Sequence, residues 1–131
     1  MVRPEDEKGI LDWLAEGRDK DVWGMLDKEH VDVSDIVDEE GRGILHIAVD
    51  SDNLEVVKEV LDRGVDINQV DDEGLTAIQY ATICEYPEMV AYLLSRGADP
   101  LIKDDDGLTA IDNATTDEIK NMLEEFVKEI E

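Results

Sequence analysis

The residues best equipped for chemistry in this sequence are carboxylates, and they come in runs. Asp38-Glu39-Glu40-Gly41, Asp71-Asp72-Glu73-Gly74 and Asp104-Asp105-Asp106-Gly107 each set three acidic side chains ahead of a glycine. Such a run could serve a divalent cation, which is held by several oxygen ligands at once. A calcium loop, however, alternates its ligands and needs a glutamate six residues after its glycine; that count lands on Asn113 from Gly107 and on Tyr80 from Gly74. The runs read instead as solvated turns, for which aspartate and glycine are both suited.

Other reactive groups are sparse. His30 and His46 fall at no metal-ligand spacing from each other or from Cys84, the single cysteine. Cys84 has no evident base beside it, and thiolate catalysis would need one. No phosphate-cradling glycine loop, nucleophile elbow or paired acid and base is present in the sequence. We therefore expect no enzyme activity, no cofactor and no metal. The chain carries 12 basic against 36 acidic residues, a formal net charge of −24. That field repels phosphate backbones and anionic lipid, which argues against nucleic-acid and membrane-surface roles, and it favours encounter with a basic partner. No apolar run reaches the length of a membrane helix, Met1-Val2-Arg3-Pro4 does not open a signal peptide, and one cysteine fits a reducing compartment, so a cytoplasmic setting is expected.

The elements that must position these groups follow from a period. Gly41, Gly74 and Gly107 recur every 33 residues, and each is followed by a similar opening: Gly43-Ile44-Leu45-His46-Ile47-Ala48, Thr76-Ala77-Ile78-Gln79-Tyr80-Ala81 and Thr109-Ala110-Ile111-Asp112-Asn113-Ala114. A fixed period of this size marks a stacked repeat architecture, which points to binding rather than catalysis. Val56, Val57, Val60 and Leu61 match Met89, Val90, Leu93 and Leu94, a single apolar stripe on a helix. Gly64 and Gly97 then supply the left-handed residue that stops that helix, and His30 takes the same place in the first unit. Thr76 with Gln79 forms a capping box, Thr109 with Asp112 a weaker one, and Gly43 offers no side-chain cap.

The first unit fits the register with Ile10, Leu11, Leu14, Val22, Trp23 and Leu26 as its apolar positions, and Trp23 closing that end of the array. The last is shortened by about four residues between its helices, and its second helix carries Ile119, Met122, Leu123, Phe126, Val127 and Ile130 above an acidic outer face. The expected organisation is a single all-α array: a capping unit at 5–37, repeats at 38–70 and 71–103, and a shortened capping unit at 104–131.

With Asp-x-x-Gly-x-Thr-Ala-Ile-x-x-Ala followed by Leu-Leu-x-x-Gly-Ala-Asp, the sequence resembles the ankyrin repeat over nearly its whole length. The resemblance implies an ankyrin-repeat solenoid of helix-turn-helix units joined by short hairpin-like turns, and a structural hydrogen bond for His46. Ala77 and Ala110 depart from the family's proline, and Asp52 and Glu85 from its glycine between the helices. A narrower likeness, carried by Glu5-Asp6-Glu7-Lys8, Asp38-Glu39-Glu40-Gly41-Arg42, Leu45-His46 and Cys84-Glu85-Tyr86, is to the C-terminal ankyrin segment of acyl-CoA-binding-domain proteins. No acyl-CoA-binding segment is seen in this sequence.

The resemblance implies a concave protein-binding face built from turn tips and inner helices. By register the tips are Glu39, Glu40 and Arg42, then Asp72, Glu73 and Leu75, then Asp105, Asp106 and Leu108. The inner-helix positions are Asp50 and Ser51, Ile83 and Cys84, Thr116 and Asp117, with Ile47 and Tyr80 one turn earlier and Trp13 in the place of Ile47 as an aromatic anchor. The expected function is non-enzymatic binding of a protein with a basic or mixed basic and apolar surface, by a chain that is monomeric when unbound. An engineered ankyrin scaffold is the alternative that the extreme charge and the acidic turns between helices suggest.

Overall fold

A computed structural model describes residues 19–30 and 32–130 of the chain. Ile10, Leu11, Trp13 and Leu14, together with the start of the first unit, lie outside the described residues. The chain divides into two compact units, Met1–Asp66 and Ile67–Glu131. Among the described residues the regular structure is helical throughout.

In the first unit, α1 (Asp19–Glu29) is followed by a single 3₁₀ turn at Val33–Asp35, then by α2 (Ile44–Asp50) and α3 (Leu54–Asp62). In the second unit α4 (Ala77–Ile83) and α5 (Pro87–Ser95) repeat the seven- and nine-residue lengths of α2 and α3. They are followed by α6 (Ala110–Asn113) and α7 (Asp117–Ile130). Helices this short are marginal alone, so each depends on burying its apolar stripe against a neighbour. In the first unit α2 packs on α3; in the second α4 packs on α5 and α6, and α7 on α5 and α6.

The buried side chains are those of the periodic stripe. Ile44, Leu45, Ala48 and Val49 of α2 and Val56, Val57 and Val60 of α3 are all but inaccessible, as are Ile78, Ala81, Met89, Val90 and Leu93 in the second unit. Each large aliphatic side chain so buried contributes about 1.5–3 kcal/mol relative to exposure. In α1, Val22, Trp23 and Leu26 are buried, and the Arg63 guanidinium lies 4.9 Å from the centroid of the Trp23 ring. Arg63 is held there by Asp27 at 2.8 Å and Glu59 at 3.1 Å. On α7 only Ile119 and Leu123 are fully buried, and Ile130 is exposed.

The turn between the two helices of a repeat closes in the same way twice. Asp52 and Glu85 adopt left-handed backbone, with φ of 53° and 62°. The Asp52 N–H then donates to Val49 O and the Asn53 N–H to Ala48 O, while Glu85 and Tyr86 donate to Thr82 O and Ala81 O. These reversed bonds are how a helix satisfies its last carbonyls. Neither residue is glycine, so the conformation is strained in both repeats. His30 is left-handed too, at φ 56°, in the register position where Gly64 and Gly97 stand at 92° and 94°.

Candidate functional site

The acidic runs are not uniform. In each, the first aspartate builds the turn and the next two project from it. The Oδ1 atoms of Asp38, Asp71 and Asp104 each accept two backbone N–H groups, from residues two and four further on, at 2.9–3.0 Å. Their own N–H groups donate to the carbonyls of Arg42, Leu75 and Leu108, and Gly41, Gly74 and Gly107 donate back to their carbonyls. The glycines have φ of 74°, 78° and 80°, which the turn requires and glycine adopts without steric cost.

The second carboxylate oxygen has a different partner each time. Arg42 Nε donates to Asp38 Oδ2 at 2.8 Å, the Tyr80 hydroxyl donates to Asp71 Oδ2, and Asn113 Nδ2 donates to Asp104 Oδ2 at 3.3 Å. Tyr80 and Asn113 are one period apart, so one register position does the same work with two chemistries. Burial tends to raise the pKa of Asp38, but the Arg42 N–H, the Arg42 guanidinium and the Glu40 N–H outweigh it and hold the carboxyl below its ordinary value. The Leu108 N–H, helped by Asn113 and the Asp106 N–H, does the same for Asp104.

Glu39 and Glu40 at the first tip, Asp72 and Glu73 at the second, and Asp105 and Asp106 at the third are exposed. Arg42 is turned into its own turn, ion-paired with Asp38 at 2.8 Å and Glu40 at 3.2 Å. Elsewhere in the first unit Ile47 is half-buried, and Asp50 and Ser51 are exposed where α2 ends.

In the second unit several of these positions come together. Leu75, Ile83 and Leu108 line an open groove of about 450 Å³, with Glu73, Asp105 and Asp106 among its walls. Ile83 is 48% exposed and Leu108 39%, high values for large aliphatic residues in the middle of a repeat face. Leu75 and Cys84 are half-buried. A hydrogen bond and a close backbone approach join the neighbouring tips. The Asp105 N–H donates to Glu73 O at 3.0 Å, and a Cβ on Gly74 would stand 2.9 Å from Asp105 N and 3.2 Å from Asp104 Cα. Beneath them Gln79, 1% exposed, does double duty. Its Oε1 accepts the Thr76 N–H at 2.8 Å, and its Nε2 donates to Ile102 O and Leu108 O at 3.1 Å each. The capping box signalled the first bond, but nothing local signalled the second pair.

Thr116 and Asp117 are not inner-helix residues. The inner helix α6 ends at Asn113, the Thr116 hydroxyl oxygen accepts the Ile119 N–H at 3.4 Å, and Asp117 opens α7. The shortening of this unit removes the last turn of its inner helix, so a plain count of 33 overshoots into the outer one. The Thr109 box, read as the weaker, closes on both sides: Thr109 N–H to Asp112 Oδ2 at 3.0 Å and Asp112 N–H to Thr109 Oγ1 at 3.3 Å. The expected bond of His46 is made by Nδ1, which accepts the Gly43 N–H at 3.1 Å in a fully buried site. Trp13 lies outside the described residues.

Among the described residues no three His, Cys, Asp or Glu side chains are grouped to hold a metal ion, and no helix is long and apolar enough to cross a membrane. No curated protein matches the chain closely enough to count as a relative. The family described as Ankyrin repeats (3 copies) matches residues 7–104. That match spans most of the sequence and coincides with the repeated helix pairs and aspartate–glycine turns: the chain belongs to the ankyrin-repeat family.

Proposed function

We propose that the chain is a non-enzymatic module that binds a partner protein through the inner-helix faces and acidic turn tips of its repeats. Ankyrin repeats are in general protein–protein interaction modules. The observation that carries the reading is the groove of the second unit, where the half-buried Leu75 and the exposed Ile83 and Leu108 lie between carboxylates. An apolar centre with a charged rim is the anatomy of a protein interface, whereas apolar residues exposed singly need no explanation. The partner surface that fits is basic, or basic and apolar, because opposite charge steers encounter and apolar contact holds it.

In the first unit the same register positions, Glu39, Glu40, Ile47, Asp50 and Ser51, extend the set, with Arg42 acting through its turn. The test is capture of a partner from lysate by the wild-type chain and by Leu75→Arg with Ile83→Arg. Both side chains already reach solvent, so the variant keeps its far-UV helical signal. Capture is expected to be lost, and retained capture would move the site elsewhere.

A further inference from the structure

The acidic residues around the groove of Ile67–Glu131 fall into two sets that the sequence does not distinguish. Asp71, Asp104 and Asp112 are committed: their oxygens accept the turn and cap N–H groups, and Asp71 and Asp104 also accept Tyr80 and Asn113. Glu73, Asp105 and Asp106 are exposed, and no side-chain hydrogen bond or ion pair among the described residues engages their carboxylates. Lys103 is the one basic residue between Arg96 and Lys120, so little neutralises them locally.

We propose that this groove takes a short cationic segment of a partner protein, with one aliphatic side chain seated on Leu75, Ile83 and Leu108. Its flanking arginines or lysines are held by Glu73, Asp105 and Asp106. The inference rests on the binding reading above and narrows its partner. An anionic ligand meets three unpaired carboxylates and is repelled. A purely apolar ligand covers the aliphatic floor but leaves the walls unmatched. A cation–aliphatic–cation segment satisfies both together. The groove, at about 450 Å³, lies in the range that encloses a small ligand or a few side chains, which suits a linear segment better than a folded face. The chain's charge of −24 speeds the approach of any polycation, so the groove must be separated from the field.

The experiment is fluorescence anisotropy in physiological salt with a fluorescein-labelled peptide, Gly-Ser-Lys-Arg-Leu-Arg-Lys-Ser-Gly. A second peptide carries serine for leucine. Glu73→Gln, Asp105→Asn and Asp106→Asn together remove three charges at the groove, and Glu118→Gln, Glu125→Gln and Glu129→Gln remove three from exposed positions on α7. The serine peptide and the groove variant are each expected to bind about tenfold more weakly, and the α7 variant less than about threefold. Equal losses from the two triple variants would reduce the effect to net charge and overturn the proposal. So would undiminished binding of the serine peptide, or peptide binding that survives Leu75→Arg with Ile83→Arg. If the leucine peptide fails to bind while a folded partner is captured by the wild type and lost by the double-arginine variant, the segment reading falls and the binding-face reading stands.

Discussion

Glycine and aspartate divide the work of each turn, and the division differs between repeats that look alike. Gly74 and Gly107 share a positive φ, near 80° in both, so any side chain at either position is strained by about 1 kcal/mol. Only Gly74 is also pressed by the next tip, with Asp105 N and Asp104 Cα within 3.2 Å of a would-be Cβ, while Gly107 has open space. We predict that Gly74→Ala destabilises by about 3 kcal/mol and Gly107→Ala by about 1 kcal/mol, the difference arising from overpacking against backbone that cannot give way. Urea unfolding followed by circular dichroism checks the pair, and equal losses would refute the tip-to-tip contact. The turn aspartates show a related economy. One oxygen is spent on the turn in every repeat, and the other is satisfied by a guanidinium, a phenol or an amide. The turn itself is written locally as aspartate followed by glycine. The second partner depends on a residue nine positions away in two repeats, so only the folded backbone brings it into reach.

The helices obey the period more faithfully than the turns that join them. Equal lengths of α2 and α4, and of α3 and α5, follow from matched caps and stripes. The turns at Asp52 and Glu85 keep the left-handed backbone of a glycine without the glycine. Glu85 is partly compensated, because its Oε1 accepts the Thr115 hydroxyl at 2.7 Å. Asp52 is exposed and has no comparable bond among those described. Asp52→Gly is therefore expected to stabilise the chain by about 0.5–1 kcal/mol, relief of strain exceeding the added freedom of the unfolded chain. A thermal melt of the variant that falls below wild type would show that the aspartate does something else there. The shortened last unit is the element where counting fails: α6 is four residues long, and Thr116 and Asp117 belong to the start of α7. A deletion can be seen in the sequence, but which helix absorbs it depends on which turn the packing of α6 and α7 can spare.

For the whole molecule the dominant quantity is charge. At −24 over 131 residues the folded chain repels itself, and compactness brings those charges closer than they are when unfolded. Raising ionic strength from 0.01 to 0.15 M shortens the screening length from about 30 to about 8 Å. The melting temperature at neutral pH is expected to rise by about 4 °C over that range, equivalent to about 1 kcal/mol in a domain of this size. Differential scanning fluorimetry in potassium chloride checks this, and a flat response would mean that the acidic groups are spaced beyond each other's reach.

The sequence by itself determined the architecture, because its signals are local: a glycine that must be left-handed, an aspartate that folds a turn back on itself, a stripe that makes a helix amphipathic. It also located Leu75, Ile83 and Leu108 on a common face, since register alone assigns residues to faces. Tertiary structure decided which of the carboxylates beside them are already spent, why Gly74 is hemmed in where Gly107 is not, and where Gln79 places its second hand. Those outcomes depend on the distance between successive turns, which is set by how the buried side chains of neighbouring helices pack, and no pattern along one repeat encodes that distance.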